Sequence, residues 1–102
     1  MLIIETTSDS KKKLKNISHI LLKGKLAACT QIIKISNSSY IWNDELESKK
    51  EYKIIIKTIT KNENKIVQTI KKHHNYDVFE LSKYVVTNLN EKYEDWVTNC
   101  LS

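Results

Sequence analysis

The stretch KEYKIIIKTIT, residues 50–60, is the clearest strand signal in the chain and decides the fold class. Three consecutive isoleucines lie between tyrosine and threonine, and such β-branched and aromatic residues favour strands. Because side chains alternate along a strand, one face carries a core set: Tyr52, Ile54, Ile56 and Thr58. The opposite face is half lysine and half isoleucine, which indicates that a helix or a neighbouring subunit covers part of it.

Upstream of this strand, the sequence predicts a strand followed by a helix. MLIIETT, residues 1–7, is a short apolar run typical of a buried strand. Ser8 or Asp9 is expected to cap the helix that follows. Its apolar stripe is Leu14, Ile17 and Leu21. Gly24 is the only glycine of the chain, and we expect it to end the helix in the left-handed conformation.

The next segment predicts a second strand that leads into a hairpin. KLAACTQIIKIS, residues 25–36, alternates so that one face carries Ala27, Cys29, Gln31, Ile33 and Ile35. NSSYIWNDELES, residues 37–48, mixes turn residues with aromatic ones. This pattern favours a continued strand or a hairpin with Asn43 and Asp44 at its tip.

A second helix is predicted after the clear strand, because Thr60 and Glu63 have the spacing of a capping box. Its apolar stripe is Ile66, Val67 and Ile70. IKKHHNYDVFEL, residues 70–81, then predicts a junction between this helix and another strand. The helix therefore ends close to two adjacent histidines.

The remaining sequence predicts a fourth strand and a third helix. FELSKYVVTNL, residues 79–89, is rich in residues that favour strands. Asn90 is a good cap for a last helix, in which we expect Trp96 to lie in the core and Cys100 to be a packing residue.

This order of elements predicts an α+β protein. Strand, helix, strand, strand, helix and strand, followed by a C-terminal helix, is the ferredoxin-like split β-α-β arrangement with an antiparallel sheet. Residues 1–102 are expected to form a single domain. Two helices would cover one face of the sheet, and self-association is the simplest way to cover the other.

Composition excludes several function classes. The net charge is +5, but all 17 basic residues are lysines, and bidentate reading of guanines and phosphates usually requires arginine. We therefore expect no specific nucleic-acid partner, and a lysine surface that is mainly solvated. No apolar run approaches the roughly 20 residues that a membrane span needs. The opening segment does not resemble a signal peptide, so a cytoplasmic location is expected.

Four collinear segments resemble the CutA divalent-cation tolerance family. They are GKLAACTQI at 24–32, SYIWNDELESKKEYKIIIKT at 39–58, HNYDVFEL at 74–81 and YEDWV at 93–97. The similarity covers nearly the whole chain. Two positions depart from the family pattern, since Asn75 and Phe79 stand where members usually have proline, which would stiffen the junction.

The resemblance implies a homotrimer of ferredoxin-like subunits with a role in tolerance of copper and other divalent metal ions. It implies weak metal binding, with copper or another divalent cation as the only cofactor, and no enzymatic reaction. A similar architecture occurs in the PII signalling proteins, so a sensor that binds a small molecule between subunits is the alternative. Fold analogy alone carries little information about function.

Seven residues are candidates for these roles. Tyr76, Asp77 and Glu80 are expected to line an inter-subunit cleft, and the resemblance places Tyr40 and Trp42 in the trimer interface. The pair Cys29 and His74 offers soft ligands for copper or zinc.

Simpler interpretations of these residues remain open. His74 would equally suit the negative end of a helix dipole, and Cys29 would equally suit a small apolar core position. His73 and His74 point about 100° apart if they are helical, so the pair is a poor chelating motif. The acids near the hairpin tip, Asp44, Glu45 and Glu47, are interpreted as solvated.

Overall fold

Four antiparallel strands and three helices make up the computed structural model, which describes residues 1–101. In chain order the elements are β1 (Leu2–Ser8), α1 (Lys11–Lys23), β2 (Cys29–Trp42), β3 (Glu45–Thr58), a 3-10 turn (Thr60–Asn62), α2 (Glu63–His73), β4 (Ser82–Val85) and α3 (Glu91–Leu101). The strand order across the sheet is β2-β3-β1-β4, and each neighbouring pair is antiparallel. The predicted α+β, ferredoxin-like arrangement is confirmed.

The main core lies between one face of the sheet and helices α1 and α2. Alternate residues of β1 and β3 are buried, as period-two side chains require. The buried apolar cluster is Leu2, Ile4, Leu14, Ile17, Leu21, Ala27, Ile54, Ile56, Ile66 and Ile70. The core face predicted for residues 50–60 is therefore correct.

Helix α3 covers part of the second face of the sheet, which we had expected to lack a helix of its own. The Lys57 ammonium lies 5.6 Å from the centroid of the Tyr93 ring, and Lys57 alternates with the core residues Ile56 and Thr58. Val97 and Leu101 are the buried residues of α3.

Two expectations for α3 fail. Trp96 was expected in the core, but it is 47% exposed. Cys100 was expected to pack, but it is also exposed. The helix buries one narrow stripe against the sheet, because Val97 and Leu101 are spaced by four residues and lie on one face. Asn90 does cap the helix, since its Oδ1 accepts a hydrogen bond of 3.1 Å from the Lys92 amide.

The ends of α1 differ in detail from the prediction. Ser10 is the cap, and its Oγ accepts a hydrogen bond of 3.2 Å from the Lys13 amide, because the hydroxyl of Ser8 already accepts from the Ser10 amide. Gly24 does end the helix, but its φ is −80°. The left-handed residue is Lys25, with φ of 55°. A Cβ on Gly24 would lie only 3.2 Å from the Ile20 carbonyl oxygen, so close approach explains this glycine.

The predicted capping box at the start of α2 does not form. A 3-10 turn occupies Thr60–Asn62, and no side chain caps α2. The Glu63 carboxylate instead contacts the Lys83 ammonium at 2.9 and 3.0 Å. The Glu63 carboxylate therefore binds Lys83 on β4 instead of a backbone amide at the start of α2.

Strands β2 and β3 form a long hairpin with the predicted tip. Asn43 and Asp44 have φ of 50° and 62°, the conformation of a two-residue type I′ turn. The register shifts between Ile35 and Ser38, so β2 contains one residue more than β3 over this interval. One extra residue inverts the alternation of side chains along a strand. The bulge therefore places Ser38, Tyr40 and Trp42 on the same sheet face as Cys29 and Ile35.

Strand β4 is much shorter than the predicted 79–89, because both ends of that segment are held by other contacts. The Glu80 carbonyl accepts a hydrogen bond from the Thr6 hydroxyl, which places residue 80 outside the regular ladder. The Val86 amide still donates to the Met1 carbonyl at 2.9 Å, and the chain then leaves the sheet. The junction predicted at 70–81 is confirmed, since α2 ends at His73 and β4 begins at Ser82.

Candidate functional site

A cavity of about 720 Å³ lies beside the hairpin and is here called the hairpin cavity. It lies where β2 and β3 meet the junction between α2 and β4. Its lining residues are Thr7, Ser38, Ser39, Tyr40, Trp42, Glu47, Lys49, Glu51, Tyr76, Asp77, Val78, Phe79 and Glu80. Three distant segments of the sequence therefore build one site.

The strand register explains which hairpin side chains face the cavity. Ser38 pairs with Lys49 and Tyr40 pairs with Glu47. Directly paired residues of an antiparallel ladder point to the same face. The bulge after Ile35 therefore aligns the aromatic side of β2 with the charged side of β3.

A hydrogen bond joins Glu51 and Tyr76, two residues of the cavity lining. The Tyr76 hydroxyl donates a hydrogen bond of 2.7 Å to Glu51 Oε2, and Glu51 is only 8% exposed. Burial raises the pKa of Tyr76, and the Glu51 carboxylate acts in the same direction, while the Lys49 ammonium opposes both. Tyr76 is therefore held as a neutral donor to a buried carboxylate.

Lys49 extends over two aromatic rings of the cavity. Its ammonium lies 4.2 Å from the centroid of Tyr76 and 5.9 Å from that of Tyr40. These are distances at which a cation is attracted to the ring face. The ammonium is also 3.7 Å from an Asp9 carboxylate oxygen, which adds a partly exposed ion pair.

His74 lies behind the cavity and is bound to backbone through both ring nitrogens. Its Nδ1 accepts a hydrogen bond of 3.0 Å from the Tyr76 amide. Its Nε2 lies 2.8 Å from the Thr7 carbonyl oxygen and must therefore donate to it. Burial lowers the pKa of His74, although the Thr7 carbonyl, Asp9 and Glu51 favour its charged form. The neutral imidazole thus fixes the position of Tyr76.

Asn75 and Phe79, which replace the prolines of the family pattern, stabilise the same junction by other means. Asn75 Nδ2 donates to Asp9 Oδ1 at 2.8 Å, and its Oδ1 accepts from the Ser8 hydroxyl. The Phe79 ring stacks on His74 with centroids 4.3 Å apart and planes within 8°. These side-chain contacts order the junction without a fixed proline φ.

The structure brings together five of the seven predicted site residues. Tyr40, Trp42, Tyr76, Asp77 and Glu80 all line the hairpin cavity. The two other candidates, Cys29 and His74, lie elsewhere. The predicted cleft residues and the predicted interface aromatics thus share one surface in a single chain.

Cys29 and His74 do not meet within one chain. Cys29 pairs with Lys57, which also pairs with Ile3, whereas His74 contacts Thr7. Ile3 and Thr7 are four positions apart along β1, which is roughly 13 Å at about 3.3 Å per residue. Among residues 1–101, no group of three or more histidine, cysteine, aspartate or glutamate side chains has the arrangement of a metal site.

Lys49 and Glu51 line the cavity but were not predicted as site residues. Glu47 is exposed, as the sequence predicted, and it also lines the cavity. Their alternation on β3 is visible in the sequence as a charged face. Pairing that face with Tyr40 requires the bulge, which no glycine marks. Tyr76 reaches Glu51 from 25 residues away, and local patterns do not report such a contact.

Comparison with known proteins gives a consistent result. The family model described as CutA1 divalent ion tolerance protein matches residues 2–100. The Escherichia coli divalent-cation tolerance protein CutA is 28% identical over 99 residues, which cover 97% of this chain and 88% of that protein. The crystal structure of CutA1 from Ehrlichia chaffeensis is 33% identical, has a TM-score of 0.91, and is matched over 99% of this chain and 94% of that one.

A third relative corrects one expectation. The CutA structure from Archaeoglobus fulgidus is 25% identical with a TM-score of 0.92 over the full length of both chains, and it is described as a periplasmic divalent cation tolerance protein. This description contradicts the cytoplasmic location expected from the sequence, since the opening residues do not determine the compartment. Within residues 1–101, no helix is both long and apolar enough to cross a membrane.

The family model spans nearly the whole chain, and the solved relatives share its complete fold. This chain therefore belongs to the CutA1 family of divalent ion tolerance proteins.

Proposed function

We propose that this protein contributes to divalent metal tolerance as a homotrimer, with the hairpin cavity as its ligand site. Membership of the CutA1 family supports the role in metal tolerance. The observation that carries the assignment of the site is the convergence of Tyr76, Asp77 and Glu80 with Tyr40 and Trp42 in one cavity. Ligand sites are concave, mostly apolar surfaces with a few convergent polar groups.

The trimer is supported by apolar side chains that a single chain leaves in water. Ile41 and Leu46 are directly paired near the hairpin tip, where they are 75% and 82% exposed. Clustered exposed apolar residues mark interaction surfaces. Two further copies would cover this surface and the free edge of β2, with a stable interface burying about 800 Å² per partner.

We propose binding rather than catalysis at this site. The His74 imidazole donates to Thr7 and accepts from Tyr76, so both nitrogens are engaged with backbone. A general base needs a free lone pair within reach of the substrate proton. Tyr76 is itself bonded to Glu51, which further favours a structural role for these groups.

For metal binding, we propose Cys29 and His74 as separate, weak ligands for copper or another divalent cation. Cys29 is a half-buried free thiol, and a thiolate suits soft ions. His74 would have to lose one backbone hydrogen bond, worth about 1 kcal/mol, to coordinate an ion. Equilibrium dialysis against Cu²⁺ compares wild type with Cys29→Ser and His74→Ala, and equal stoichiometry in all three would exclude both residues.

A second candidate is a small-molecule sensor that uses the same cavity. Its volume of about 720 Å³ falls within the range of about 300–1,000 Å³ for ligand sites. A metabolite that binds only the folded chain raises its thermal midpoint by mass action. A thermal-shift screen therefore tests this candidate, and no shift with any amine, anion or nucleotide would count against it.

The proposed function is tested by complementation. A bacterial strain that lacks its own CutA would receive the wild-type gene, the cavity variant Trp42→Ala with Glu47→Gln, or the control Glu91→Gln on α3, and growth would be measured against Cu²⁺. We expect wild type and the control to restore tolerance and the cavity variant to fail. Full tolerance with a folded cavity variant would contradict the assignment of the site.

A further inference from the structure

We propose that the hairpin cavity takes a small organic cation, an amine or a quaternary ammonium ion, at the position where the ammonium of Lys49 now lies. This inference rests on the proposed role of the cavity as the ligand site and names the class of its ligand. Three features carry it: the charge of the lining, its aromatic rings, and the placement of Lys49.

The cavity is acidic although the chain is basic. Four carboxylates and one ammonium line it, so its formal charge is −3, while the whole chain carries +5. The positive charge of Lys49 is shared with Asp9, which lies outside the lining. Glu47 and Asp77 take part in no ion pair within residues 1–101. A cleft of one sign concentrates ligands of the opposite sign.

The aromatic rings of the cavity form a surface suited to an ammonium group. Tyr40 and Tyr76 both lie within 5.9 Å of one point, the Nζ atom of Lys49. Trp42, the ring type that binds cations most strongly, belongs to the same lining. Cages of aromatic rings recognise amines and quaternary ammonium ions in this way.

A divalent metal ion and an anion fit the cavity less well. Hard divalent cations require several oxygens that converge on one point, and no such group of three exists in the described part of the chain. An anion would meet the net negative lining with only Lys49 to attract it. Carboxylates spread around aromatic rings match an extended organic cation instead.

Lys49 shows how such a cation would bind and also competes with it. Its ammonium sits on a flexible four-carbon stem, and its side chain remains 35% exposed. An incoming amine would replace this ammonium over Tyr76 while Lys49 moves toward solvent. Removal of the Lys49 charge should therefore strengthen binding of a cation, whereas it should weaken binding of an anion.

The experiment uses Trp42 as a built-in reporter. The chain has two tryptophans, and Trp96→Phe leaves only Trp42, at the cavity. In this background we would titrate tetramethylammonium and ethylamine, with sodium chloride at equal ionic strength as the reference, and follow the fluorescence. The variant is Lys49→Met, which keeps the length of the stem. The matched control is Lys50→Met, the next residue of β3, which points to the other face.

We expect saturable quenching by the cations, about tenfold tighter binding in Lys49→Met, and no change in Lys50→Met. Two results would overturn the inference. One is the absence of saturation by either cation in both wild type and Lys49→Met, with folding of each confirmed by circular dichroism. The other is saturable binding of adenosine monophosphate that Lys49→Met abolishes, which would make the cavity an anion site.

Failure of this inference is distinguishable from failure of the proposed function. If the cavity variant loses metal tolerance but no ammonium ion binds, only the ligand class is wrong. If ammonium ions bind as expected but the cavity variant keeps full tolerance, the ligand class stands and the proposed function falls.

Discussion

The Tyr76 hydroxyl donates a 2.7 Å hydrogen bond to the buried carboxylate of Glu51, and this bond joins the junction after α2 to strand β3. A buried acceptor that loses its donor carries the full cost of desolvation, about 1–3 kcal/mol. The bond therefore contributes to stability as well as to the shape of the hairpin cavity.

The first prediction concerns this bond. Tyr76→Phe removes the hydroxyl while it keeps the ring, and we expect a loss of about 1–3 kcal/mol in the free energy of unfolding. Urea denaturation at fixed protein concentration measures it. The control is Tyr84→Phe on β4, where the tyrosine is 49% exposed and the change should stay within about 0.5 kcal/mol. Equal effects of the two variants would show that the Glu51 contact contributes nothing.

The second prediction concerns pH and His74. Burial holds the pKa of His74 below its ordinary value of 6.5. The unfolded chain therefore binds a proton at higher pH than the folded chain does. The stabilising contribution is fully present above pH 6.5 and is lost as the pH falls from there toward the lower folded-state pKa.

We expect His74→Gln to reduce the loss of stability between pH 7 and pH 5, as measured by urea denaturation at each pH. Asp9 and Glu51 also face the imidazole, and subtracting the profile of the variant from that of wild type isolates the contribution of residue 74. The control His19→Gln, an exposed position on α1, should leave the profile unchanged. Parallel profiles of wild type and His74→Gln would disprove the claim that burial of His74 contributes to the loss of stability at low pH.

The third prediction concerns the hairpin tip. Asp44 has φ of 62°, and glycine adopts this region without steric cost. We expect Asp44→Gly to raise the free energy of unfolding by about 0.5–1 kcal/mol, since Asn-Gly is the preferred type I′ pair. Asp44→Ala should lower it. Thermal melts of both variants test the turn, and a gain with alanine would contradict the left-handed conformation.

The fourth prediction concerns the core. Ile56 is fully buried between β1 and the helices, so Ile56→Ala should cost about 2–5 kcal/mol through lost burial and an unfilled cavity. Leu89→Ala, at a fully exposed leucine, should change stability by less than about 0.5 kcal/mol. Similar losses at the two positions would contradict the placement of the core.

Local sequence patterns predicted those parts of the fold that are determined by residues close together in the sequence. The alternation of residues 50–60 identified the core face of β3, and Asn43 with Asp44 identified the turn. The cap of α1 was misplaced because Ser8 is held at the end of β1 by Asn75, a contact over 67 residues. The sequence on either side of Ser8 gives no sign of that partner.

The site was predicted in part for the same reason. Tyr76 and Trp42 were recognised through resemblance and residue type, but their shared cavity depends on a bulge between Ile35 and Ser38 that has no glycine or proline to mark it. Lys49 was missed because its role comes from the Tyr76 ring, which a different segment supplies.

The proposal that three copies cover the apolar hairpin is tested most directly by the mass of the purified protein in solution. One chain has a mass of 11.9 kDa. Light scattering coupled to gel filtration at micromolar concentration should give three times that mass, and Leu46→Lys with Ile41→Lys at the exposed hairpin surface should reduce it. A stable wild-type protein with the mass of a single chain would contradict the trimer and the role given to the hairpin surface.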